Sequence, residues 1–331
     1  MRGTLRGVRM VATGAYVPVR VMTNGDFEKL VDTTDEWITT RTGIKERHIA
    51  PSDMPTSELA CNAAQAALDE SGISPETLDC IIVATVTPDQ PFPATACHVQ
   101  AKLGATKAAA FDVSAACSGF LYGTQIASGL IASGMKECVL VIGVESLSKI
   151  VDYTDRNTCV LFGDGAGAAI YTASDNPKTG VLAALTQSDG TLTHLLELPA
   201  GGTRLGVSHD TVDARLHFLR MRGNETFKIA VRNMSEIALE ALARAGKSPA
   251  EQSLLVPHQA NIRIIEAVAR ALDFPMDKVM VNIDRFGNTS SASIPMALDE
   301  ARRTGRIKPG DLVELVAFGG GMTWGAVVVQ F

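Results

Sequence analysis

The sequence predicts an α/β protein built from two related halves. Three observations predict it: a segment that recurs at a fixed offset, strands that are apolar along their whole length, and helices whose apolar residues share one face. The recurrence is the most specific of these. Ala66-Ala67-Leu68-Asp69-Glu70-Ser71-Gly72-Ile73-Ser74-Pro75 leads into Ile81-Ile82-Val83-Ala84, and Glu240-Ala241-Leu242-Ala243-Arg244-Ala245-Gly246-Lys247-Ser248-Pro249 leads into Leu254-Leu255-Val256. The offset is 174 positions (246 − 72 = 249 − 75 = 174). In each copy a helix ends at glycine, a Ser-Pro turn follows and an apolar strand begins. The run 138–143 resembles 312–317, and 165–171 resembles 324–329. Four matches in one order predict two α/β halves, over about 1–180 and 181–331.

The strands 81–86 and 139–143 are continuous apolar runs, the pattern of a sheet covered by helices on both faces. The helix expected over 226–245 carries Phe227, Ala230, Val231, Met234, Ile237, Ala238, Ala241 and Leu242 on one face. Layers of helices around two central sheets follow. A β-type run over 279–283 is expected to be a further strand, and the more polar segment 199–222 reads as a long connection with extra local structure. Gly163-Asp164-Gly165-Ala166-Gly167 leads into a strand, whereas a dinucleotide fingerprint leads into a helix; it is read as close backbone packing.

The chain has 331 residues, is 46% hydrophobic and 20% charged, and so has enough apolar surface for a large core. A net charge of −6 argues against a general nucleic-acid binder. The longest apolar runs, such as 138–144, are too short to span a bilayer, and the arginine-bearing stretch 1–12 lacks the apolar centre of a signal peptide. Cysteines at 61, 80, 97, 117, 138 and 159 form no C-x-x-C pair. That spacing fits neither a metal site nor a disulfide framework, so free thiols in a cytoplasmic enzyme are expected.

Cys117 follows the β-type run 108–113 and opens the helix that runs through Phe120-Leu121-Tyr122 toward Gly134. A sulfur at a helix N-terminus faces unpaired N–H groups and the positive end of the dipole. Such a thiol can have its pKa lowered to about 3.5–7.5 and attack a thioester; the bland alternative is a buried core cysteine. In the second half, His258 follows the strand-like Leu254-Leu255-Val256-Pro257, and Asn288 follows the run 279–283. Ligands of doubly wound sheets sit at the carboxyl ends of strands, where all three fall. An asparagine before Thr-Ser is ordinarily turn or cap chemistry, and a lone histidine is ordinarily structural; the weight lies in the three together. His48, His98, His194, His209 and His217 keep the structural reading. A papain-like protease shares the Cys, His, Asn order, but its cysteine signature and its fold do not match.

Six ordered motifs resemble the β-ketoacyl-acyl-carrier-protein synthase III family across nearly the whole chain. They are Asp35-Glu36-Trp37-Ile38 with Arg41-Thr42-Gly43-Ile44, Ala116-Cys117-Ser118-Gly119-Phe120, Phe162-Gly163-Asp164-Gly165-Ala166-Gly167-Ala168, Pro257-His258-Gln259-Ala260-Asn261, Gly287-Asn288-Thr289-Ser290, and Phe318-Gly319-Gly320-Gly321 before Thr323-Trp324-Gly325. The resemblance implies a thiolase-like fold with α-β-α-β-α layers. It implies that Cys117 takes an acyl group from acyl-CoA, and that malonyl-acyl-carrier-protein then loses carbon dioxide and attacks the acyl-cysteine to give a 3-ketoacyl product. His258 and Asn288 would donate hydrogen bonds to the enolate oxygen, and the backbone N–H groups of Cys117 and Gly320 would hold the tetrahedral oxyanion. Elongating synthases carry a second histidine where Asn288 stands, and thiolases a second cysteine in the late glycine-rich segment; both differences imply the CoA-primed initiator.

By the same resemblance Trp37, Arg41, Arg156 and Asn261 are CoA contacts, adenine stacking on the indole with a guanidinium opposite. Phe92 matches a position that reaches across a dimer into the acyl pocket, which implies a homodimer. Arg263 and Lys228, with Arg270 and Arg232 one or two turns on, are candidates for the acidic carrier protein. No cofactor and no metal are expected, since CoA thioesters are substrates. The primer is expected to be acetyl-CoA, in fatty acid synthesis; a branched, longer or aromatic primer in secondary metabolism is the alternative, and a non-catalytic acyl-binding scaffold is a third reading that three intact site residues oppose.

Overall fold

The computed structural model describes residues 5–331; residues 1–4, part of the N-terminal stretch considered above, lie outside the described residues. Five strands form one sheet: β1 (Gly7–Tyr16), β2 (Cys80–Ala84), β3 (Ala109–Val113), β4 (Cys138–Glu145) and β5 (Gly165–Ser174), in the order β1-β5-β4-β2-β3. A second sheet contains β6 (Gly180–Ser188), β7 (Leu254–Pro257), β8 (Leu312–Gly319) and β9 (Thr323–Gln330), in the order β6-β9-β8-β7. The four strands of the second order correspond to the first four of the five, and β3 has no counterpart. In each sheet the first two pairings are antiparallel and the next is parallel.

The helices used below are α1 (Asp35–Thr42), α2 (Thr56–Ser71), α3 (Thr95–Leu103), α4 (Gly119–Ala132), α5 (Gly223–Arg244), α6 (Ile262–Ala271) and α7 (Ser293–Arg303). Alternation along the strands shows why they layer as they do. Ile82, Val139 and Val141 join a central cluster with Phe120, Leu121 and Ile131 of α4 and Ile294, Leu298 and Ala301 of α7. Ile81, Val83, Leu140 and Ile142 point the other way, against Leu59, Ala63 and Ala67 of α2 and Val99 of α3. In the second sheet Val313 and Leu315 face the centre, while Leu312 and Val316 meet Met234, Ile237 and Ala241 of α5 and Ile265 of α6. Both faces of both sheets are covered, so the strands are apolar throughout. The result is the layered α-β-α-β-α thiolase-like arrangement.

The 174-residue offset runs deeper than the sequence matches. β4 maps onto β8 end for end (138 + 174 = 312; 145 + 174 = 319), and α4 and α7 begin 174 apart (119 + 174 = 293). Each is preceded by a one-turn helix, Ala116–Ser118 and Ser290–Ala292. Each of those turns opens with a non-glycine residue in the left-handed region, Ala116 at φ 45° and Ser290 at φ 49°. Cys117 in one elbow thus corresponds to Ser291 in the other (117 + 174 = 291). The second elbow packs against β4, where a Cβ on Gly143 would lie 2.1 Å from the Ser291 carbonyl oxygen, and against the first elbow, where a Cβ on Gly119 would lie 3.5 Å from Ser291 Cβ.

One expected strand does not form. The run 279–283 makes only a single parallel bridge, Val279 to Leu255. The Gln259 side chain takes the place of a strand neighbour, donating from Nε2 to the Met280 carbonyl (3.0 Å) and accepting the Asn282 N–H (3.0 Å). Ile283 then starts a one-turn helix, Ile283–Phe286. The glycines at 165 and 167 pack as anticipated: a Cβ at either would strike Met296 or Pro295.

Candidate active site

Cys117, His258 and Asn288 line one cavity of about 810 Å³, the first two beyond strand ends and Asn288 after the one-turn helix Ile283–Phe286, where a strand was expected. Each is held by a different local device. Cys117 sits in the Ala116–Ser118 turn at the start of α4. His258 continues β7, its backbone N–H donating to the Val316 carbonyl at 2.8 Å. Asn288 is pinned by backbone bonds to Leu161 (2.9 Å) and Gly163 (3.0 Å).

Hydrogen bonds orient the two side chains. Asn288 Oδ1 accepts the Ser290 N–H at 2.9 Å, which leaves Nδ2 as the donor. His258 Nδ1 lies 2.7 Å from Ser293 Oγ, which also accepts the Gln259 N–H at 3.0 Å. Nδ1 is the one acceptor described for the Ser293 hydroxyl proton, so the imidazole carries its own proton on Nε2. Both side chains are therefore set as donors.

The thiol differs from the expectation for a helix terminus. Burial pushes Cys117 up to about 12, with the Glu145 charge adding to the rise and the Ser290 hydroxyl opposing it. The expected lowering fails because the sulfur is enclosed rather than solvated beside the helix end; desolvation of the thiolate outweighs the dipole. Burial also depresses His258 to about 3, which keeps the ring neutral. The resting pair is thiol and neutral imidazole.

A second, smaller cavity of about 270 Å³ meets the first at Cys117. Val86, Leu147, Ile150, Phe162 and Leu219 make it apolar, and Gly320 lies on its wall. Neither the Cys117 N–H nor the Gly320 N–H donates to a backbone carbonyl among the described residues; the Cys117 N–H faces its own sulfur. The closest glycine contact is one residue earlier: a Cβ on Gly319 would lie 2.6 Å from Cys117 N.

A family model described as 3-oxoacyl-[acyl-carrier-protein] synthase III matches residues 111–190, and one for its C-terminal part matches 242–331. The β-ketoacyl-[acyl-carrier-protein] synthase III of Caldanaerobacter subterraneus subsp. tengcongensis is 53% identical over 322 residues, 97% of each chain. The chain belongs to the β-ketoacyl-[acyl-carrier-protein] synthase III family. The crystal structure of the Aquifex aeolicus 3-oxoacyl-[acyl-carrier-protein] synthase III matches with a TM-score of 0.90 at 51% identity, over 98% of this chain and 100% of that one. The priming β-ketosynthase of the R1128 polyketide pathway matches with a TM-score of 0.92 at 34% identity, over 100% of this chain and 98% of that one.

In the synthase, Trp37, Arg41, Asn261, Arg263 and Lys228 all border the larger cavity. Arg41, Lys228 and Arg263 are exposed, so they form its rim while Cys117, His258 and Asn288 form its buried end. Arg156 is absent from the lining but lies over Trp37, its guanidinium carbon 5.3 Å from the ring centroid; that of Arg41 is at 4.6 Å. Asn261 caps α6, its Oδ1 accepting the Arg263 N–H at 2.9 Å. Phe92 is 85% exposed and lines neither cavity of its own chain. The 199–222 connection contains a short helix, His209–Asp213, and a two-residue strand paired with Leu196–Glu197; its Leu219 and Met221 wall the cavities.

Sequence reasoning missed Glu145, Ser290 and Ser293. Glu145 had a signal, a lone carboxylate ending a strand that is otherwise apolar. Ser293 had none, because its contact with His258 spans 35 positions.

Proposed function

We propose that this condensing acyltransferase initiates fatty acid synthesis by a two-step reaction. Cys117 takes an acyl group from acyl-CoA, and the acyl-enzyme condenses with the carbanion left when malonyl-acyl-carrier-protein loses carbon dioxide. The observation that carries the reading is the meeting of two cavities at one sulfur. The larger has a charged rim suited to a CoA or carrier-protein arm, and the smaller has an apolar wall suited to the acyl chain.

The chain's own residues supply the chemistry. The thiol attacks the thioester carbonyl, the oxyanion takes the N–H groups of Cys117 and Gly320, and CoA leaves as its thiol with the proton that Cys117 gives up. In the second step loss of carbon dioxide puts negative charge on the thioester oxygen of malonyl-acyl-carrier-protein. His258 Nε2 and Asn288 Nδ2 both donate there, and such a donor is worth about 2.7–4 kcal/mol in the transition state. The enolate carbon attacks the acyl-cysteine, and Cys117 leaves as the 3-ketoacyl product forms. No resident cofactor or metal enters any step.

Trp37 and Arg41 bind CoA, with Arg156 and Asn261 as further contacts, because an indole beside guanidinium groups is a stacking site for adenine. Arg263 and Lys228 meet the acidic carrier protein at the rim. The protein acts in the cytoplasm as a homodimer in which Phe92 of a second copy closes the apolar cavity; an exposed phenylalanine with no role in its own chain supports this. Acetyl-CoA is the expected primer, since an inserted ring shortens the cavity. The 34% identity to a polyketide priming synthase supports priming in a secondary-metabolic pathway as the second reading.

The test is product analysis by mass spectrometry with malonyl-acyl-carrier-protein and a panel of acyl-CoAs. Acetoacetyl-acyl-carrier-protein as the dominant product supports the reading. Dominance of a branched or longer product replaces the primer, and no condensation product with any acyl-CoA overturns the function.

A further inference from the structure

Arg47 is the largest fully buried side chain among the described residues, and it packs against the segment that holds Asn288. None of its described hydrogen bonds ends on a carboxylate. Nε donates to the Val160 carbonyl at 3.0 Å, Nη2 donates to the same oxygen, and Nη1 donates to Asn24 Oδ1 at 2.6 Å. A longer bond runs from Nη1 to the Lys45 carbonyl at 3.5 Å. Burial lowers the guanidinium to about 10, so it stays charged at neutral pH. A buried cation with no counter-ion is costly, and well-packed apolar side chains commonly fill such a space at least as stably.

What the guanidinium holds is the support of Asn288. Val160 ends the one-turn helix Arg156–Cys159 and opens the stretch 160–163. Asn288 hangs on that stretch by one parallel bridge to Phe162: its N–H donates to the Leu161 carbonyl at 2.9 Å, and its carbonyl accepts the Gly163 N–H at 3.0 Å. The Arg47 stem fills the space beneath the bridge. A Cβ on Gly163 would lie 3.2 Å from Arg47 Cβ, and one on Gly287 would lie 3.1 Å from Arg47 Cγ. The other side of the fork is anchored through Asn24, whose Nδ2 donates to Asp35 Oδ1 at 2.7 Å and to the Ile44 carbonyl at 2.8 Å. Asp35 opens α1, and Trp37 and Arg41 of α1 border the larger cavity.

We propose that Arg47 is a positioning residue for the decarboxylation step, aiming Asn288 Nδ2 at the enolate oxygen by fixing the 160–163 stretch on which the Asn288 backbone hangs. This deepens the reading above and rests on Asn288 as a donor to the malonyl thioester. Arg47 lines neither cavity, so it acts through Asn288 and not on the substrate. The Ser290 N–H on Oδ1 sets the rotation of the Asn288 amide. The place of the amide depends on the backbone, and that is what the Arg47 fork secures. A hydrogen bond weakens steeply as its angle closes, and a misplacement of about 1 Å can cost about 10²-fold in rate.

The shape of the side chain matters as well as its charge. Two nitrogens of a planar fork meet Val160 while the third meets Asn24, a span that the point charge of a lysine cannot reproduce. The Phe27 ring lies against the guanidinium, its centroid 4.6 Å from the central carbon, and fixes the plane of the fork. Cys117 is held by other contacts. The Ser118 N–H donates to the Ala115 carbonyl at 3.1 Å, and Ser118 Oγ donates to the Thr323 carbonyl at 3.0 Å. His258 rests on Val316 and Ser293. Loosening the Arg47 fork therefore disturbs the step that needs Asn288 and spares acylation of the thiol.

The experiment measures two half-reactions in wild type, Arg47→Lys and Asn24→Ala. Acylation of Cys117 at saturating acetyl-CoA is followed by quenched intact-mass analysis. Decarboxylation of malonyl-acyl-carrier-protein is followed with Cys117→Ala added to each protein, and again with Asn288→Ala added as well. Positioning predicts that Arg47→Lys lowers decarboxylation at least tenfold and Asn24→Ala at least threefold, while acylation falls less than twofold in both. With Asn288→Ala present, the same substitutions are expected to cost less than twofold, because no amide remains to be aimed. A purely structural role would lower decarboxylation by the same factor with or without Asn288, and that result overturns the proposal. So does a loss of acylation equal to that of decarboxylation, or unchanged decarboxylation in Arg47→Lys. If thermal unfolding shows that Arg47→Lys does not fold, Asn24→Ala carries the same comparisons. Absence of decarboxylation with Arg47, Asn24 and Asn288 all intact overturns instead the function on which the proposal rests.

Discussion

Burial acts on Cys117 and His258 alike by penalising charge, and the consequences for catalysis differ. The thiol is raised to about 12 and the imidazole lowered to about 3. A neutral His258 is a hydrogen-bond donor throughout the working range, so malonyl-acyl-carrier-protein decarboxylation in Cys117→Ala is expected to show no inflection from His258 between pH 5 and 8. An inflection near pH 6.5 that vanishes in His258→Asn would contradict this. Asn288→Asp exchanges the Nδ2 donor for a second acceptor and sets a negative charge beside the developing enolate. The loss of one donor alone is about 10²–10³ in rate, and decarboxylation in this variant is expected to fall by at least that much while Cys117 remains reactive toward acyl-CoA. Glycine at 319 has a comparable place. A Cβ there would meet Cys117 N at 2.6 Å and Ser118 N at 3.1 Å, so Gly319→Ala is expected to slow acylation more than tenfold.

Among the elements, β8 carries an anomaly that the duplication makes plain. Glu314 points into the apolar layer beneath α5 and α6, fully buried, with neither carboxylate oxygen hydrogen-bonded. Its counterpart in the first half is Leu140 (314 − 174 = 140). Burial pushes Glu314 well above the ordinary carboxylate range, with Gln252 opposing weakly. The native state therefore holds a proton that the unfolded chain releases above about pH 4.3. Stability from this group is full below that pH and is lost as pH rises toward the folded pKa. Glu314→Leu is expected to raise Tm at pH 8 and to flatten the decline of Tm between pH 5 and 8; an unchanged slope would contradict it. The Gln259 clamp makes the opposite prediction. Gln259→Leu removes both bonds to the backbone of Met280 and Asn282, a loss of about 1–3 kcal/mol for buried groups left unpaired, read as a drop in the denaturation midpoint.

At the scale of the molecule, the site exists because two copies of one α/β unit meet at their elbows. The first copy holds cysteine in its elbow, and the second holds Ser291 there with Asn288 and His258 beside it. Much of this was legible in the chain. Apolar strands, glycine-terminated helices and the 174-residue offset are local or periodic features, and Cys117 and His258 each follow a strand. What was not legible depends on packing across long separations. The thiol's ionisation follows from enclosure by both halves, the failure of the 279–283 strand follows from one glutamine side chain, and the Glu145–Ser290 hydrogen bond joins segments 145 positions apart. The connection 199–222 gave no periodic signal because its short helix and two-residue strand are stabilised by what they cover.

Intact-mass analysis of the purified protein after mixing with acetyl-CoA, with Cys117→Ala alongside, tests the central claim most directly. The account predicts one added acetyl group on the wild type, mapped to Cys117, released on addition of malonyl-acyl-carrier-protein, and absent from the variant. An adduct on Cys117→Ala, or a wild type that stays unmodified by acetyl-CoA and every other acyl-CoA, would contradict it.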